Sequence, residues 1–401
     1  MNDITKTFVT ALLAATMQTA TAQGNLNGLG NEREQTQSLA ERVLKLEKKS
    51  DAFNLYLNTH MSYQERFNNQ ERFGSRQSDG SEEGGSFKGR QLRVEMLGNL
   101  NEHWSYRFRY RLNRPGEQQS DNFSNNIDIM TVNYKFNNRF TLSAGKLGVA
   151  LGGYQYDDNP INVLEFCDWL NGIDGFHLGV HGAYNVGKNN TLMLGLYNTN
   201  NNDTKRYYSE KAGLKRSKHP LAGSLYWIGN MCGGKLQTLW SYSLLSEVEN
   251  KYSSLLMLGT RLNMPKWQLT LDYYGAWEQI DHHKIITTEM RAADPATSKV
   301  ARSTRYHSLL LDWTYQPTPH WNCILGGRME FASAKDNPAF RNYRRSYGYQ
   351  AAVQWIPDLT QDARLSLAYI GSRVDYNDKC GLADFNTDRL ELSLIYRIKV
   401  Y

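Results

Sequence analysis

The chain has 401 residues, a formal net charge of +6 at pH 7 and 40% hydrophobic residues. Its mean hydropathy of −0.62 and the lack of an apolar run of about 18 residues beyond the N-terminal region exclude a helical membrane protein. The small net charge does not favour nucleic-acid binding. A transmembrane β-barrel remains compatible with the composition, because every strand of such a barrel has one polar face.

The first 22 residues predict a signal peptide. Lys6 supplies a short basic region, FVTALLAATM is a short apolar region, and the small residues Ala20-Thr21-Ala22 form a cleavage site before Gln23. An N-terminal core helix is the alternative interpretation.

Residues 23–50 predict a linker followed by a short periplasmic helix. After the flexible sequence GNLNGLGNE, the residues Leu39, Val43, Leu46 and Ser50 follow one another in steps of four and three. This heptad-like seam is too short to predict an independent coiled coil. It fits either an amphipathic helix that lies on another surface or a short helix that promotes oligomerisation.

Residues 51–401 predict an all-β fold, a transmembrane antiparallel β-barrel of about 16 strands. From Phe53 onward the pattern has a period of two, which is typical of strands with one apolar face. The runs approach the ~9–11 residues that a tilted strand needs to cross a bilayer. They lie at 53–67, 89–100, 103–113, 127–136, 139–147, 175–185, 190–198, 219–228, 234–245, 252–262, 266–279, 304–315, 319–331, 343–356, 362–372 and 385–401.

The connections between these runs alternate in length. Those that follow the even-numbered runs are short and rich in turn residues, such as NNR and VGKNN, whereas most others are long, such as 68–88 and 148–174. A barrel of the Gram-negative outer membrane has short periplasmic turns and long external loops, and a soluble sandwich has no reason to sort loops in this way. An even number of strands then places both the N- and C-termini in the periplasm.

The third run, WSYRFRYRLN, interleaves arginines with large apolar residues. Alternation points Phe108 and its neighbours to lipid and Arg107, Arg109 and Arg111 to the lumen, since a charge at the bilayer midplane costs ~2–4 kcal/mol. The same parity predicts that the lumen also contains Arg93, Arg261, Arg328, Arg344, Arg364, Arg389, Arg397, Lys135, His177 and His181, with the acids Glu95, Asp272, Glu278, Glu330 and Glu391.

Two interpretations of the strand-3 arginines remain open. They could brace the wall through carboxylate pairs, because Glu95 is expected opposite Arg107 or Arg109. Alternatively, three arginines against one opposed acid leave a positive surplus that forms a path for anions. A guanidinium is permanently charged and binds oxyanions through two donors, and a series of such sites passes an ion along if no single site is too deep.

The connection 148–174 is expected to fold into the barrel. It begins with glycines and contains an apolar stretch, Val163 to Phe166, that water would not favour. A lid packed against neighbouring barrels is the alternative. Asp157 and Asp158 could bind Ca²⁺ or could be solvated loop acids.

No catalytic or cofactor chemistry is indicated. The four cysteines, Cys167, Cys232, Cys323 and Cys380, lack a metal-binding spacing, although a bridge between Cys167 and Cys380 is conceivable. The sequence contains no G-x-S-x-G, H-E-x-x-H or P-loop motif. We therefore expect neither an enzyme nor a metal or cofactor site.

Three passages, LEKKSDAFNLYLN, YRFRYRLN and NNRFTLSAGKLGVALGGY, resemble the phosphate-selective porin O and P family of Gram-negative outer membranes. The resemblance extends over nearly the whole mature chain. It implies a sixteen-stranded homotrimer with an in-folded third loop, a ladder formed by Arg107, Arg109 and Arg111, and Lys146 near the constriction. Strict alternation points Lys146 outward unless the strand bulges there.

The leading hypothesis is an outer-membrane porin, a water-filled, anion-preferring channel for passive uptake of phosphate or other small oxyanions. Its partners would be small anionic solutes, outer-membrane lipid and further copies of the chain. The alternatives are a general or oligosaccharide porin that uses Tyr56, Tyr274 and Tyr306 for stacking, and an adhesin or structural protein with a plugged lumen. The pore candidates are Arg93, Arg107, Arg109, Arg111, Lys146, Arg261 and Arg328.

Overall fold

The computed structural model describes residues 52–67, 84–114, 116, 121–199 and 213–400. The predicted signal peptide and the predicted linker and helix at 23–50 lie outside these residues. Within them, sixteen strands form one sheet. The strands are β1 (Asn54–Phe67), β2 (Gly84–Asn99), β3 (Trp104–Arg111), β4 (Ile127–Lys135), β5 (Phe140–Gly148), β6 (Phe176–Val186), β7 (Asn190–Asn198), β8 (Leu221–Met231), β9 (Leu236–Leu245), β10 (Ser253–Asn263), β11 (Trp267–Ile280), β12 (Arg302–Thr318), β13 (Trp321–Ala334), β14 (Arg344–Trp355), β15 (Asp362–Tyr376) and β16 (Phe385–Lys399).

The sheet closes on itself. Each strand pairs antiparallel with its neighbours in sequence, and β1 pairs with β16 through register pairs such as Ser62 with Ser393. Closure removes the unpaired strand edges that an open sheet exposes. The predicted antiparallel barrel of sixteen strands is therefore confirmed.

The two faces of the wall differ in polarity, as the alternation predicts. On β7, Leu192, Leu194 and Leu196 are exposed on the outer face, whereas Met193 and Tyr197, which have the opposite parity, are buried inside. None of the helices among the described residues is long and apolar enough to cross a membrane.

Several strands extend beyond the predicted runs. β2 is already formed at Gly84 rather than residue 89, and β15 continues to Tyr376 rather than 372. These extensions lie next to the long connections, where ladder hydrogen bonds continue although the apolar alternation has weakened. Hydrogen bonding, which the side-chain pattern does not report, sets these ends.

Within β1 to β5, three local irregularities interrupt the inside–outside alternation. The register shifts between His60 and Met61 in the β1–β2 pair and between Arg109 and Tyr110 in the β3–β4 pair. On β5, Gly145 has φ +128°, and a Cβ there would lie 2.1 Å from the carbonyl oxygen of Met130. A β-bulge, or a glycine with a positive φ, reverses the face of the sheet to which the neighbouring side chains point. These sites decide which charges face the interior.

Candidate pore interior

The connection between β5 and β6 lies against the inner wall. It contains two short helices, α1 (Tyr154–Asp157) and α2 (Asp168–Asn171). Its backbone N–H groups donate to side chains of the wall. Tyr154 and Gln155 each donate to Asp272 at 2.9 Å, and the amides of Asp168 and Trp169 donate to Glu330 at 2.9 and 3.0 Å. Two inward-facing carboxylates therefore fix this segment at both of its helical turns.

Glycines permit the close approach of this segment to the wall. Gly153 has φ +88°, and a Cβ there would lie 2.3 Å from the ring of Tyr274. On β10, a Cβ at Gly259 would lie 2.7 Å from the Cα of Gly153. Backbone packs against backbone at this contact, which only residues without a side chain allow.

Acids of the same segment neutralise arginines of the wall. Asp158 binds Arg261 through two hydrogen bonds of 2.7 and 3.2 Å, and Asp168 binds Arg344. Glu165 binds Arg389 and lies 3.5 Å from Arg90. Burial favours the neutral acid at Glu165, but Arg389 and Arg90 outweigh it and hold the pKa of this carboxyl below its usual value.

A second group of arginines lies on β2 and β3, and we call Arg93, Arg107, Arg109 and Arg111 the β2–β3 arginine cluster. The guanidinium of Arg107 donates to Glu95 at 2.7 Å. Asp128 on β4 lies 3.3, 3.4 and 3.0 Å from the guanidinium nitrogens of Arg93, Arg109 and Arg111. These two carboxylates face four guanidinium groups, so the cluster keeps a local surplus of positive charge.

Several donors of the cluster are unused. Nε and Nη1 of Arg93, Nε and Nη2 of Arg109, and Nε of Arg111 are buried and have no hydrogen-bond partner among the described residues. The ion pairs that Arg93 and Arg109 make with Asp128 are close enough for attraction but do not satisfy these N–H groups. Arg109 also lies over the ring of Phe176, 5.1 Å from its centroid. Buried donors normally find an acceptor, which these N–H groups lack among the described residues.

The model of the phosphate-selective porin O and P family matches residues 53–398, which is the barrel from β1 almost to the end of β16. The chain belongs to this family. It is therefore an outer-membrane porin, and the family resemblance inferred from the sequence is confirmed. A search of the curated proteins finds no match.

Solved structures agree with this porin in fold. The outer-membrane channel DcaP of Acinetobacter baumannii is 10% identical, with a TM-score of 0.60 over 86% of this chain and 97% of the other. OmpT of Vibrio cholerae in its trimer form is 10% identical, with a TM-score of 0.53 over 86% and 99%. The anion-selective porin from Comamonas acidovorans is 10% identical, with a TM-score of 0.52 over 86% and 99%. At these identities the likeness shows the barrel fold alone.

The porin brings together only part of the predicted pore set. Arg93, Arg107, Arg109 and Arg111 form the cluster described above. Arg261 lies across the interior on β10, where it binds Asp158 and covers the ring of Tyr154 at 3.8 Å. Arg328 on β13 lies 3.8 Å from Glu330 and lies against the backbone of Gly348. Arg261 therefore holds the connecting segment, and Arg328 packs against the wall. Neither residue extends the β2–β3 arginine cluster.

Lys146 of the porin is buried rather than exposed to lipid, although strict alternation points it outward. The left-handed backbone at Gly145 turns its side chain into the barrel, where Nζ lies 3.6 Å from Asp121. Lys146 lies on β5, which pairs with β4. β4 in turn pairs with β3, the strand that carries three arginines of the cluster.

The inside–outside alternation of the sequence did not predict that two charged residues, Asp128 and Arg90, face the interior. Asp128 is buried inside the wall at the β3–β4 register shift. Arg90 is the extra residue of the β1–β2 shift and binds Glu391 at 2.8 Å. Both lie at positions that strict alternation assigns to lipid. A charged residue in an otherwise apolar outward row was the signal in the sequence for a local bulge.

The tyrosines considered for sugar stacking are largely engaged by other contacts. Tyr274 is buried and donates to Asp272 at 2.7 Å. Tyr306 is buried too and donates to Asp281 at 2.5 Å. The ring of Tyr56 is covered by Arg397, whose Cζ lies 4.1 Å from its centroid. The first two lie beneath the connecting segments and offer no face to a solute.

All four cysteines are described and all are free thiols, so the conceivable bridge between Cys167 and Cys380 is not formed. Burial raises the pKa of the Cys167 thiol well above its usual value. Asp158 is bound to Arg261, and the described part of the chain has no cluster of three or more His, Cys, Asp or Glu side chains that could hold a metal ion.

Proposed function

We propose that this porin forms a water-filled, anion-preferring channel for passive uptake of small oxyanions, phosphate among them. The observation that carries the proposal is the β2–β3 arginine cluster, where four guanidinium groups meet the carboxylates of Glu95 and Asp128 and keep unused buried donors. The family description supports an anionic solute.

The chemistry of guanidinium suits this function. The group carries its charge at every physiological pH and presents a planar set of donors that matches the oxygens of phosphate. Because the arginines share Asp128 and Glu95, the attraction at each position is partly offset. A site of moderate depth lets an ion leave as readily as it enters, which conduction requires.

Wall bracing accounts for three other arginines of the interior. Arg261, Arg344 and Arg389 each bind an acid of the β5–β6 connection, and breaking such a buried pair costs about 3–5 kcal/mol. The β2–β3 arginine cluster differs because its arginines outnumber its acids. Bracing and anion transfer are therefore assigned to different parts of the same interior.

The test is the reversal potential of the purified porin in a planar bilayer under a salt gradient. We expect an anion-favouring potential that moves toward zero in Arg109→Gln, which removes one charge from the cluster. The matched control is Arg373→Gln, since the Arg373 side chain is 64% exposed and lies on the outer face. A cation-favouring wild type, or equal shifts in the two variants, would refute the proposal.

We also propose a homotrimer that is exported by a cleaved signal peptide at residues 1–22, with both termini in the periplasm. Support comes from the trimer form of the structurally similar OmpT and from the alternation of short and long connections. The in-folded connection 148–174 would narrow the channel in each copy.

A further inference from the structure

The outer face of the barrel carries a row of arginines near one rim. Arg305 on β12, Arg345 on β14 and Arg373 on β15 are all exposed and share the outward parity of their strands. Each lies within four residues of the strand end that joins a long connection. We call Arg305, Arg345 and Arg373 the rim arginine row.

The register places these arginines on neighbouring parts of one surface. Arg345 pairs with Phe331 on β13, and Arg305 pairs with Ser333, two residues further along that strand. On the other side, Arg373 pairs with Tyr347, which is two residues from Arg345. Arg345 and Arg373 are diagonal across one strand pair and so lie about 7–8 Å apart, whereas Arg305 is separated from Arg345 by β13.

The row is partly neutralised. Arg305 and Arg345 make no ion pair with another described residue, although Asp375 lies opposite Arg345 in the β14–β15 register, where it accepts from Arg373 at 2.6 Å. A further outward acid, Asp388, accepts hydrogen bonds from Tyr349 and Tyr369 at 2.7 and 2.8 Å, and these cover it. Asp384 also acts on Arg373, so the guanidinium groups of the row without an ion pair among the described residues are those of Arg305 and Arg345.

Aromatic side chains lie beside the row, at Phe331, and below it, at Tyr349 and Tyr369, on the same face. Phe331, Tyr349 and Tyr369 are exposed, and the rings of Tyr349 and Tyr369 stack with centroids 6.1 Å apart. Beyond them the outer face becomes aliphatic, with Leu309 and Leu367 exposed. Aromatic belts mark the boundary between acyl chains and headgroups, so the arginines stand at headgroup level.

We propose that the rim arginine row binds the phosphate groups of an acylated glycolipid in the outer leaflet of the membrane. The proposal rests on the orientation given under the proposed function, in which the long connections lie on the side of the membrane opposite the periplasm. Arginine is the side chain best suited to phosphate, and the aliphatic surface below it accommodates acyl chains. The same surface serves no purpose in a channel for ions, because it faces away from the lumen.

The experiment measures binding of bisphosphorylated lipid A to the purified full-length porin in detergent by native mass spectrometry. The test variant is Arg305→Gln/Arg345→Gln/Arg373→Gln. The matched control, Arg139→Gln/Lys188→Gln/Lys266→Gln, removes three exposed positive charges from the short turns at the opposite rim. Single variants of Arg305 and Arg345 provide a second series in which only one side chain changes.

We expect lipid A to bind the wild type and the control equally. Binding should weaken about fivefold for each rim arginine removed, as for a basic residue at an anionic membrane surface. The affinity of the wild type for dephosphorylated lipid A should not exceed the affinity of the rim triple variant for phosphorylated lipid A. Equal loss in the two triple variants, no loss in either, or no effect of dephosphorylation would overturn the proposal.

The ion selectivity of the rim variant separates this proposal from the function of the pore. Because the rim arginine row lies outside the lumen, the variant should keep the wild-type reversal potential. A selectivity change without a loss of lipid binding would place these arginines in the permeation path and would also overturn the lipid site.

Discussion

Asp128 shows how one residue sets the charge of the interior. It is buried at the β3–β4 register shift and lies within 3.4 Å of guanidinium nitrogens from three arginines. Without it, the like charges of Arg93, Arg109 and Arg111 would repel one another at short range. The acid allows the arginines to be close together but does not cancel their charge.

Asp128→Asn should therefore raise anion preference and lower stability together. The substitution keeps the shape of the side chain and adds one unit of positive charge to the β2–β3 arginine cluster. Removal of the charged partner from a buried pair costs about 3–5 kcal/mol. The reversal potential and urea unfolding in detergent micelles measure the two effects.

Asp375→Asn is the matched control, because it removes the same charge from an exposed pair with Arg373. Exposed pairs contribute about 0–1 kcal/mol, so stability and selectivity should change little. Lower anion preference in Asp128→Asn would show that the cluster does not attract the permeating ion.

At the scale of elements, the β5–β6 connection is held by backbone contacts as much as by charges. Gly153 donates its N–H to the carbonyl oxygen of Leu239 at 2.9 Å, and Gly152 donates to the hydroxyl of Ser241 at 2.7 Å. A segment that contacts β9, β10 and β11 at such short range has one position rather than many.

Gly153→Ala should displace this segment. Its new Cβ would lie 2.3 Å from the ring of Tyr274, and overpacking of this kind costs about 1–3 kcal/mol. We expect lower resistance to urea and a changed single-channel conductance. Gly223→Ala on β8 is the control, because its Cβ would meet no atom within 4 Å. Identical behaviour of the two variants would contradict the tight contact.

Two further connections are joined by an ionisable pair. Nδ1 of His282, after β11, lies 2.8 Å from Oε2 of Glu247, after β9. Burial opposes the imidazolium, but Glu247 outweighs it, so that the pKa of His282 is raised above its usual value. Glu278 acts in the same direction as Glu247, and Lys284 acts against it.

This pair should make stability depend on pH. Because the pKa is raised in the folded state, the contribution is complete below about pH 6.5 and is lost as the pH rises through the folded pKa. The difference in Tm between wild type and His282→Gln should therefore be largest near pH 5.5 and should shrink at alkaline pH. A difference that grows with pH would be the wrong sign for this contact.

At the scale of the whole molecule, the wall varies in height around the barrel. β3, β4 and β5 have 8, 9 and 9 residues, whereas β12 and β15 have 17 and 15. The rim arginine row belongs to the tall side. The arginine cluster of the pore lies on β2 and β3, so its β3 arginines are on the low side.

The proposed trimer leads to a measurable outcome. Crosslinking in native outer membranes should yield species up to the trimer and no higher. Deletion of residues 24–50 should reduce the trimer if the predicted periplasmic helix contributes to assembly, with full-length protein at equal abundance as the control. Crosslinking that yields only monomer would contradict the oligomer.

The sequence alone determined the number of strands, the short and long connections and the apolar exterior. These follow from a period of two that is read residue by residue, because lipid outside and water inside act on every strand alike. The prediction that Glu95 lies near the strand-3 arginines needed only one hairpin, and the contact with Arg107 confirms it.

Only the tertiary structure decided the charge of the interior. Arg90 and Asp128 reach it through register shifts, and Lys146 reaches it through the backbone of Gly145. Likewise, the engagement of Arg261 by Asp158 joins residues 103 positions apart. A parity count assumes an unbroken ladder and ignores contacts between distant segments, whereas a single bulge reverses the face of a side chain and a single long-range pair removes its charge from the pore.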